Sequence, residues 1–149
     1  MRYPSPCLRF NRCGLPTLNI LYIHRLMHLT LTNFGLGLSS TQLGWLYNSF
    51  AVYLPMLSFK KNLHVLAYHS VALVSEYKDI YYEGCLSLAI KYPVNRARKF
   101  IIICYDVLRD VVCAIKSKSL FSACLQHEHD HILGSLISDN QITNNYGTS

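Results

Sequence analysis

Apolar residues recur at mixed three- and four-residue spacings through Leu18, Leu21, Leu26 and Leu29, with Ile20 and Met27 beside them. That period predicts a helix over 17–32, ended by the Asn33-Phe-Gly-Leu-Gly break. Short β-branched and aromatic runs at 50–57, 63–68 and 71–75 read as strands, and 100–105 and 111–115 as two more around a turn at 106–110. Ser119 to Leu133 carries the strongest helical pattern, with Ser119 or Ser122 as a cap and Gly134 at the C′ position. Strands first and one strong helix late predict an α+β fold, the helix laid against antiparallel sheet.

Composition narrows the class. A chain of 149 residues, 51% hydrophobic and 15% charged, suits one domain over 1–149 with a real core. The polar stretch 140–149 is expected to fray. The net charge of +6 has an uneven address, because no acid precedes Glu76 while Arg2, Arg9, Arg12, Arg25, Lys60 and Lys61 all do. A nucleic acid, a membrane surface or an import machinery could each explain such a half. The apolar stretch Leu15–Leu31 is interrupted by Pro16, His24, Arg25 and His28, which excludes a membrane span, and no secretory signal is present. Lys and Arg are scattered without a stripe or an RNA-stacking motif, which argues against a nucleic-acid module. Six cysteines are too dilute to staple a small domain, so at least one is a candidate for chemistry.

That chemistry is strongest at His127-Glu-His-Asp-His131. Imidazoles four residues apart on a helix share a face and can bind one metal ion, and Glu128 is spaced to act as a base on bound water. A polar helix face that happens to be rich in histidine is the plainer alternative. A catalytic site needs a third ligand, and no His or Glu follows His131. The ligand is therefore expected upstream, where Cys85, behind Gly84, is the outstanding candidate and would bind as the thiolate. The spacing of His24 and His28 is the same, but Arg25 lies between them and would repel a cation.

With these residues in view the chain resembles the peptide deformylases. Gly35-Leu-Gly-Leu-Ser-Ser-Thr-Gln42 is similar to that family's G-x-G-L-A-A-x-Q, Glu83-Gly-Cys-Leu-Ser87 is identical to its E-G-C-L-S, and Gln126-His-Glu-His-Asp-His131 matches its Q-H-E-x-D-H. Gly134 to Asp139 resembles G-x-L-F-x-D, and Pro4 to Arg9 resembles a P-x-P-x-L-R opening, which leaves little room for a cleavable leader. Departures are Ser39-Ser40 for Ala-Ala, Ala89 for a proline and Tyr68-His69 for Asn-Pro.

The resemblance implies antiparallel sheets packed around a central helix, and roles residue by residue. Cys85, His127 and His131 would hold the metal, Fe²⁺ with Zn²⁺, Ni²⁺ or Co²⁺ as substitutes. Glu128 would be the general base and acid, and Gln42 with the Leu86 backbone N–H would hold the formyl oxygen. Gly37 would pair with the substrate peptide, while Ala123 and Cys124 would line a methionine pocket. Around these, Glu83 would orient a ligand histidine and Asp130 would pair with Arg96. The expected reaction is hydrolysis of the formyl group from the N-terminal formylmethionine of peptides emerging from the ribosome. The expected setting is a monomer in a bacterial cytoplasm, or an organellar matrix or stroma, with no membrane and no specific nucleic acid as partner. A divergent member that binds metal with little turnover, or a basic ribosome-associated module, are the alternatives.

Overall fold

Residues 20–32, 35–45, 47–55, 61–85 and 87–142 are described in the computed structural model. The Pro4–Arg9 opening and Leu86 lie outside them.

Helix α1 spans Ile20–Thr32 and buries the stripe Tyr22, Leu26 and Thr30, one residue per turn, while His24, Arg25 and His28 stay in solvent. This stripe packs with Leu38, Ala51 and Val65. After it come β1 (Gly37–Ser39), a 3₁₀ turn (Ser40–Leu43) and β2 (Ser49–Pro55). Strand β3 runs unbroken over Lys61–Val74, where two separate strands are expected from sequence. The gap between those two runs is an irregularity within one strand. The register against the neighbouring strand shifts between Ala67 and Ser70 and again between Val71 and Leu73, and Tyr68 takes a left-handed φ of 51°.

Strands β4 (Lys78–Glu83) and β5 (Tyr92–Ala97) form a separate antiparallel pair, and neither is anticipated from the hydrophobic pattern. The reason is physical: β4 alternates only between exposed and half-buried positions, and β5 carries Pro93. Strands β6 (Lys99–Asp106) and β7 (Val111–Lys118) complete a five-stranded antiparallel sheet in the order β1-β2-β3-β6-β7. Helix α2 (Ser119–Ile132) lies on this sheet, burying Leu125 and Ile132 against Phe50, Val52, Leu66, Phe100 and Ile102.

Neither expected serine caps α2. Lys118 occupies the N-cap without a side-chain bond, and Ser119 already lies inside the helix with φ 51°. The helix start is tied instead to the end of β5 and the residue after it. Ser119 N–H donates to the Arg98 carbonyl at 2.8 Å, Ser122 Oγ to the Ala97 carbonyl at 2.7 Å, and the Gln126 amide pairs with both Ala97 backbone groups at 2.9 and 3.0 Å. Gly134 stands just beyond the C-cap with φ 76°, where the absence of a Cβ is required. The polar C-terminal stretch is held further than its composition suggests: Gln141 bridges Val94 and Ile142 N–H donates to the Pro93 carbonyl at 2.9 Å.

Candidate metal centre and active site

The two layers meet where the end of β4 faces the last turns of α2. Cys85, two residues beyond β4, and His127 and His131, one turn apart on α2, bring three donor atoms within 4.8 Å of one another. Cys85 Sγ lies 3.3 Å from His131 Nε2, which lies 3.2 Å from His127 Nε2. Sulfur and nitrogen donors around one tetrahedral ion, at about 2.0–2.3 Å from it, stand roughly 3.3–3.6 Å apart, close to the Cys85–His131 and His131–His127 separations. The donor chemistry fits as well, since thiolate with two imidazoles suits a divalent transition metal. Burial pushes the His131 imidazole well below its ordinary pKa, toward the neutral form that binds metal. Burial acts the same way on His127, but hydrogen bonds with Cys85 and Glu83 lift it to about 10, so a cation entering here displaces a proton.

A buried polar network holds His127. Its Nδ1 is 3.0 Å from Glu83 Oε2, and Glu83 is gripped bidentately by Arg96, Nε to Oε1 at 2.7 Å and Nη2 to Oε2 at 2.8 Å. Arg96 Nη1 donates in turn to Asp130 on α2. Arg96 is 4% exposed, so its guanidinium is compensated by these two carboxylates rather than by water. Burial alone would raise the Glu83 pKa, yet Arg96 and His127 hold it below the ordinary value, which keeps the carboxylate ionised toward the imidazole.

Glu128 is 3% exposed, and burial lifts its carboxyl to about 7 against the opposing effect of His127. Its Oε2 is a buried oxygen without a hydrogen-bond partner among the described residues. A carboxyl poised near neutrality beside a metal-donor triad can both take and return a proton. On the other wall, Gln42 is oriented by a capping box. Ser39 caps the 3₁₀ turn, and its backbone N–H donates to Gln42 Oε1 at 2.8 Å. That leaves the Gln42 Nε2 group directed at Cys85 Sγ and Ser87 Oγ, both at 3.3 Å.

These groups line a cavity of about 520 Å³ that includes Gly37, Gln42, Cys85, Ala123, Cys124 and Glu128. It is lined as well by Gly35 and Leu36 beside β1, which lies at one edge of the five-stranded sheet, and by Tyr81 and Tyr82 of β4. Ala123 is buried, and burial raises the Cys124 thiol well above its ordinary pKa. Sequence reasoning leaves out the structural parts of Gln126 and Ser87, the first anchoring α2 to β5 and the second sharing the Gln42 amide. Both stand within the matched motifs, which is the one signal that could have found them. Of the residues singled out from sequence, the donor triad, Gln42, Gly37, Ala123, Cys124, Glu83, Arg96, Asp130 and Glu128 converge on this cavity or its support.

Fold and site together are those of an α+β protein whose HExxH helix sets two histidines beside a cysteine from outside the helix, a cluster that could hold a metal ion. The chain belongs to the polypeptide deformylase family, whose family model matches residues 3–145. It is 32% identical over 108 residues to the peptide deformylase of Wigglesworthia glossinidia brevipalpis, covering 72% of this chain and 68% of that protein. To the peptide deformylase of Bartonella henselae it is 30% identical over 105 residues, covering 70% of this chain but only 60% of the relative. The crystal structure of peptide deformylase from Ehrlichia chaffeensis superposes with a TM-score of 0.85 at 19% identity, over 96% of this chain and 86% of that one, and so shares the fold. Among the described residues no helix is long and apolar enough to cross a membrane.

Proposed function

We propose that the chain is a metal-dependent amidohydrolase that removes the formyl group from the N-terminal methionine of nascent peptides. The observation that carries this reading is the buried Glu128 carboxyl, lifted to about 7, beside the Cys85–His127–His131 donor triad in one cavity. Cys85, His127 and His131 would hold the ion, Fe²⁺ in the cell with Zn²⁺, Ni²⁺ or Co²⁺ as substitutes. Such an ion supplies Lewis acidity to a water and to the formyl carbonyl.

The rest of the chemistry belongs to the chain. Glu128 takes the proton from the attacking water and returns it to the leaving amine. Gln42 Nε2 donates to the formyl oxygen as it gains negative charge, with the Leu86 backbone N–H as a second donor. The peptide lies extended along the edge of β1 at Gly37, where main-chain pairing accepts many N-terminal sequences. Ala123 and Cys124 form the wall against the methionine side chain. Formylated chains at the ribosome of a bacterial cytoplasm would be the substrates, and a monomer would suffice, since all named groups come from one chain.

Metal analysis of anaerobically purified protein, run beside hydrolysis of formyl-Met-Ala by wild type and Glu128→Ala, tests this. The expected result is near one metal per chain in both and turnover only in the wild type. Full metal without wild-type turnover would leave a metal-binding protein that is not this enzyme, and absence of metal would overturn the reading altogether.

A further inference from the structure

The hairpin that leads into α2 carries two cysteines with no place in the chemistry above. Cys104 on β6 and Cys113 on β7 are direct register partners. Cross-strand partners in an antiparallel ladder project to the same face. Accordingly Cys104 belongs to the core beneath α2 and Cys113 packs against that same cluster. Among the described cysteines, Cys85 sits with the metal donors and Cys124 lines the cavity, so this pair is committed to neither.

We propose that Cys104 and Cys113 are a redox pair, closing to a reversible disulfide across β6 and β7 when a hydroperoxide reaches the protein. Register partners of an antiparallel ladder hold their Cα atoms about 4.5 or 5.5 Å apart. Both spacings fall within the roughly 4.4–6.8 Å that a disulfide spans, so the two strands stand at a separation that the bridge can close. Cys104 Sγ already contacts the Cys113 carbonyl at 3.8 Å.

The two thiols differ in access. Cys104 is 1% exposed and burial pushes its thiol up to about 12, while Cys113 is only half-buried. Cys113 is therefore oxidised first. Its thiolate attacks the terminal oxygen of the hydroperoxide, the O–O bond breaks, an alcohol or water leaves, and a sulfenic acid remains. Cys104 then attacks that sulfur as its own proton passes to the departing hydroxyl; the S–S bond forms and the S–O bond breaks with loss of water. In sum two thiols are oxidised and one hydroperoxide is reduced. Because β7 ends at Lys118 and α2 begins at Ser119, the bridge would fasten the strand that delivers the ligand-bearing helix.

The test uses metal-loaded protein treated with hydrogen peroxide, alkylated, and digested with trypsin without reductant. Cleavage after Arg109 places Cys104 in peptide 100–109 and Cys113 in peptide 110–116. The expected product is those two peptides joined, two hydrogens lighter than their sum, and separated again by reductant. Cys113→Ser, checked for folding by circular dichroism, should yield no joined peptide and leave Cys104 open to alkylation after unfolding. Recovery of both cysteines alkylated in the wild type after peroxide, or of Cys104 joined to Cys124, would overturn the proposal.

Discussion

A Cβ placed on Gly37 would stand 2.5 Å from Oε1 of Glu128 and under 3 Å from its Cγ and Cδ. The backbone of β1 thus comes as close to the Glu128 carboxylate as only a glycine permits. Glu128 is nearly fully buried and lines the cavity, so its carboxylate can make room for that Cβ only by shifting from its place beside the triad. Gly37→Ala is expected to displace the carboxylate by a fraction of an ångström or more. Misplacement on that scale lowers turnover by about 100-fold. Metal content should stay near wild type, because the three atoms nearest that Cβ all belong to Glu128. A variant with full metal and unchanged kcat would contradict this account.

Ser39 and Gln42 separate a stability role from a catalytic one. Ser39→Ala removes the side-chain cap of the 3₁₀ turn at a cost of about 1 kcal/mol. It keeps the backbone N–H that holds Gln42 Oε1 at 2.8 Å, so kcat/KM should change little. Gln42→Ala removes a donor to the developing charge and should raise the barrier by about 3 kcal/mol. Steady-state kinetics should separate the two, with kcat/KM lost in Gln42→Ala and kept in Ser39→Ala. Denaturant unfolding should show a stability loss in both, because Gln42 is the other half of the capping box.

The Glu83–Arg96–Asp130 network should be felt at the metal in a graded way. Glu83 touches His127 directly, whereas Asp130 acts only through Arg96 and also accepts from Asn140 at 3.1 Å. Glu83→Gln is expected to weaken metal binding about 10- to 100-fold in a chelator competition. Asp130→Asn should weaken it less. Arg96→Ala would strand Glu83 in the interior and lower folding stability by about 3–5 kcal/mol.

His69 makes stability fall on the acid side. Its Nε2 is 2.8 Å from His129 Nδ1, on the side of α2 turned to the sheet, and Phe50 and Phe100 lie close by. Burial first, and the neighbouring His129 second, push its pKa from 6.5 down to about 4. Between these values the unfolded chain takes up a proton that the folded one refuses, so stability is lost as pH falls from 6.5 toward 4. Relative to His69→Asn, the wild type should lose up to about 2 kcal/mol between pH 6.5 and 5. Parallel stability curves for the two proteins over that range would rule this out.

The elements legible in the sequence are those whose signal is local. His127, Glu128 and His131 follow from helical spacing alone, and the α2 span follows from its apolar period. Cys85 is reached as a candidate third ligand by elimination along the chain, and its spatial nearness to the helix is invisible until β4 and β5 pair. That pair escapes the pattern because β4 alternates only between exposed and half-buried positions, while β5 carries Pro93 and a buried arginine, Arg96. The contacts among Glu83, Arg96 and Asp130 depend on that same pairing, and motif resemblance could suggest them without showing the bidentate grip. Tyr68-His69, where the family carries Asn-Pro, hides a bend inside one strand as a boundary between two. The serines at 39 and 40 read in sequence as departures; the Ser39 hydroxyl in fact caps the 3₁₀ turn, while its backbone N–H orients Gln42.

Cys85 and His131 stand 46 residues apart in the chain and come from different layers, one beside the two-stranded sheet and the other from the helix laid on the five-stranded sheet. An ion shared between them is thus a tie across a long loop, closing the same stretch that a covalent bridge at those positions would close. Its binding energy belongs to the joining of the two layers as much as to the reaction. Stripping the ion should loosen the seam between the small sheet and α2 before it disturbs either sheet within itself, and hydrogen exchange would register the loss there first.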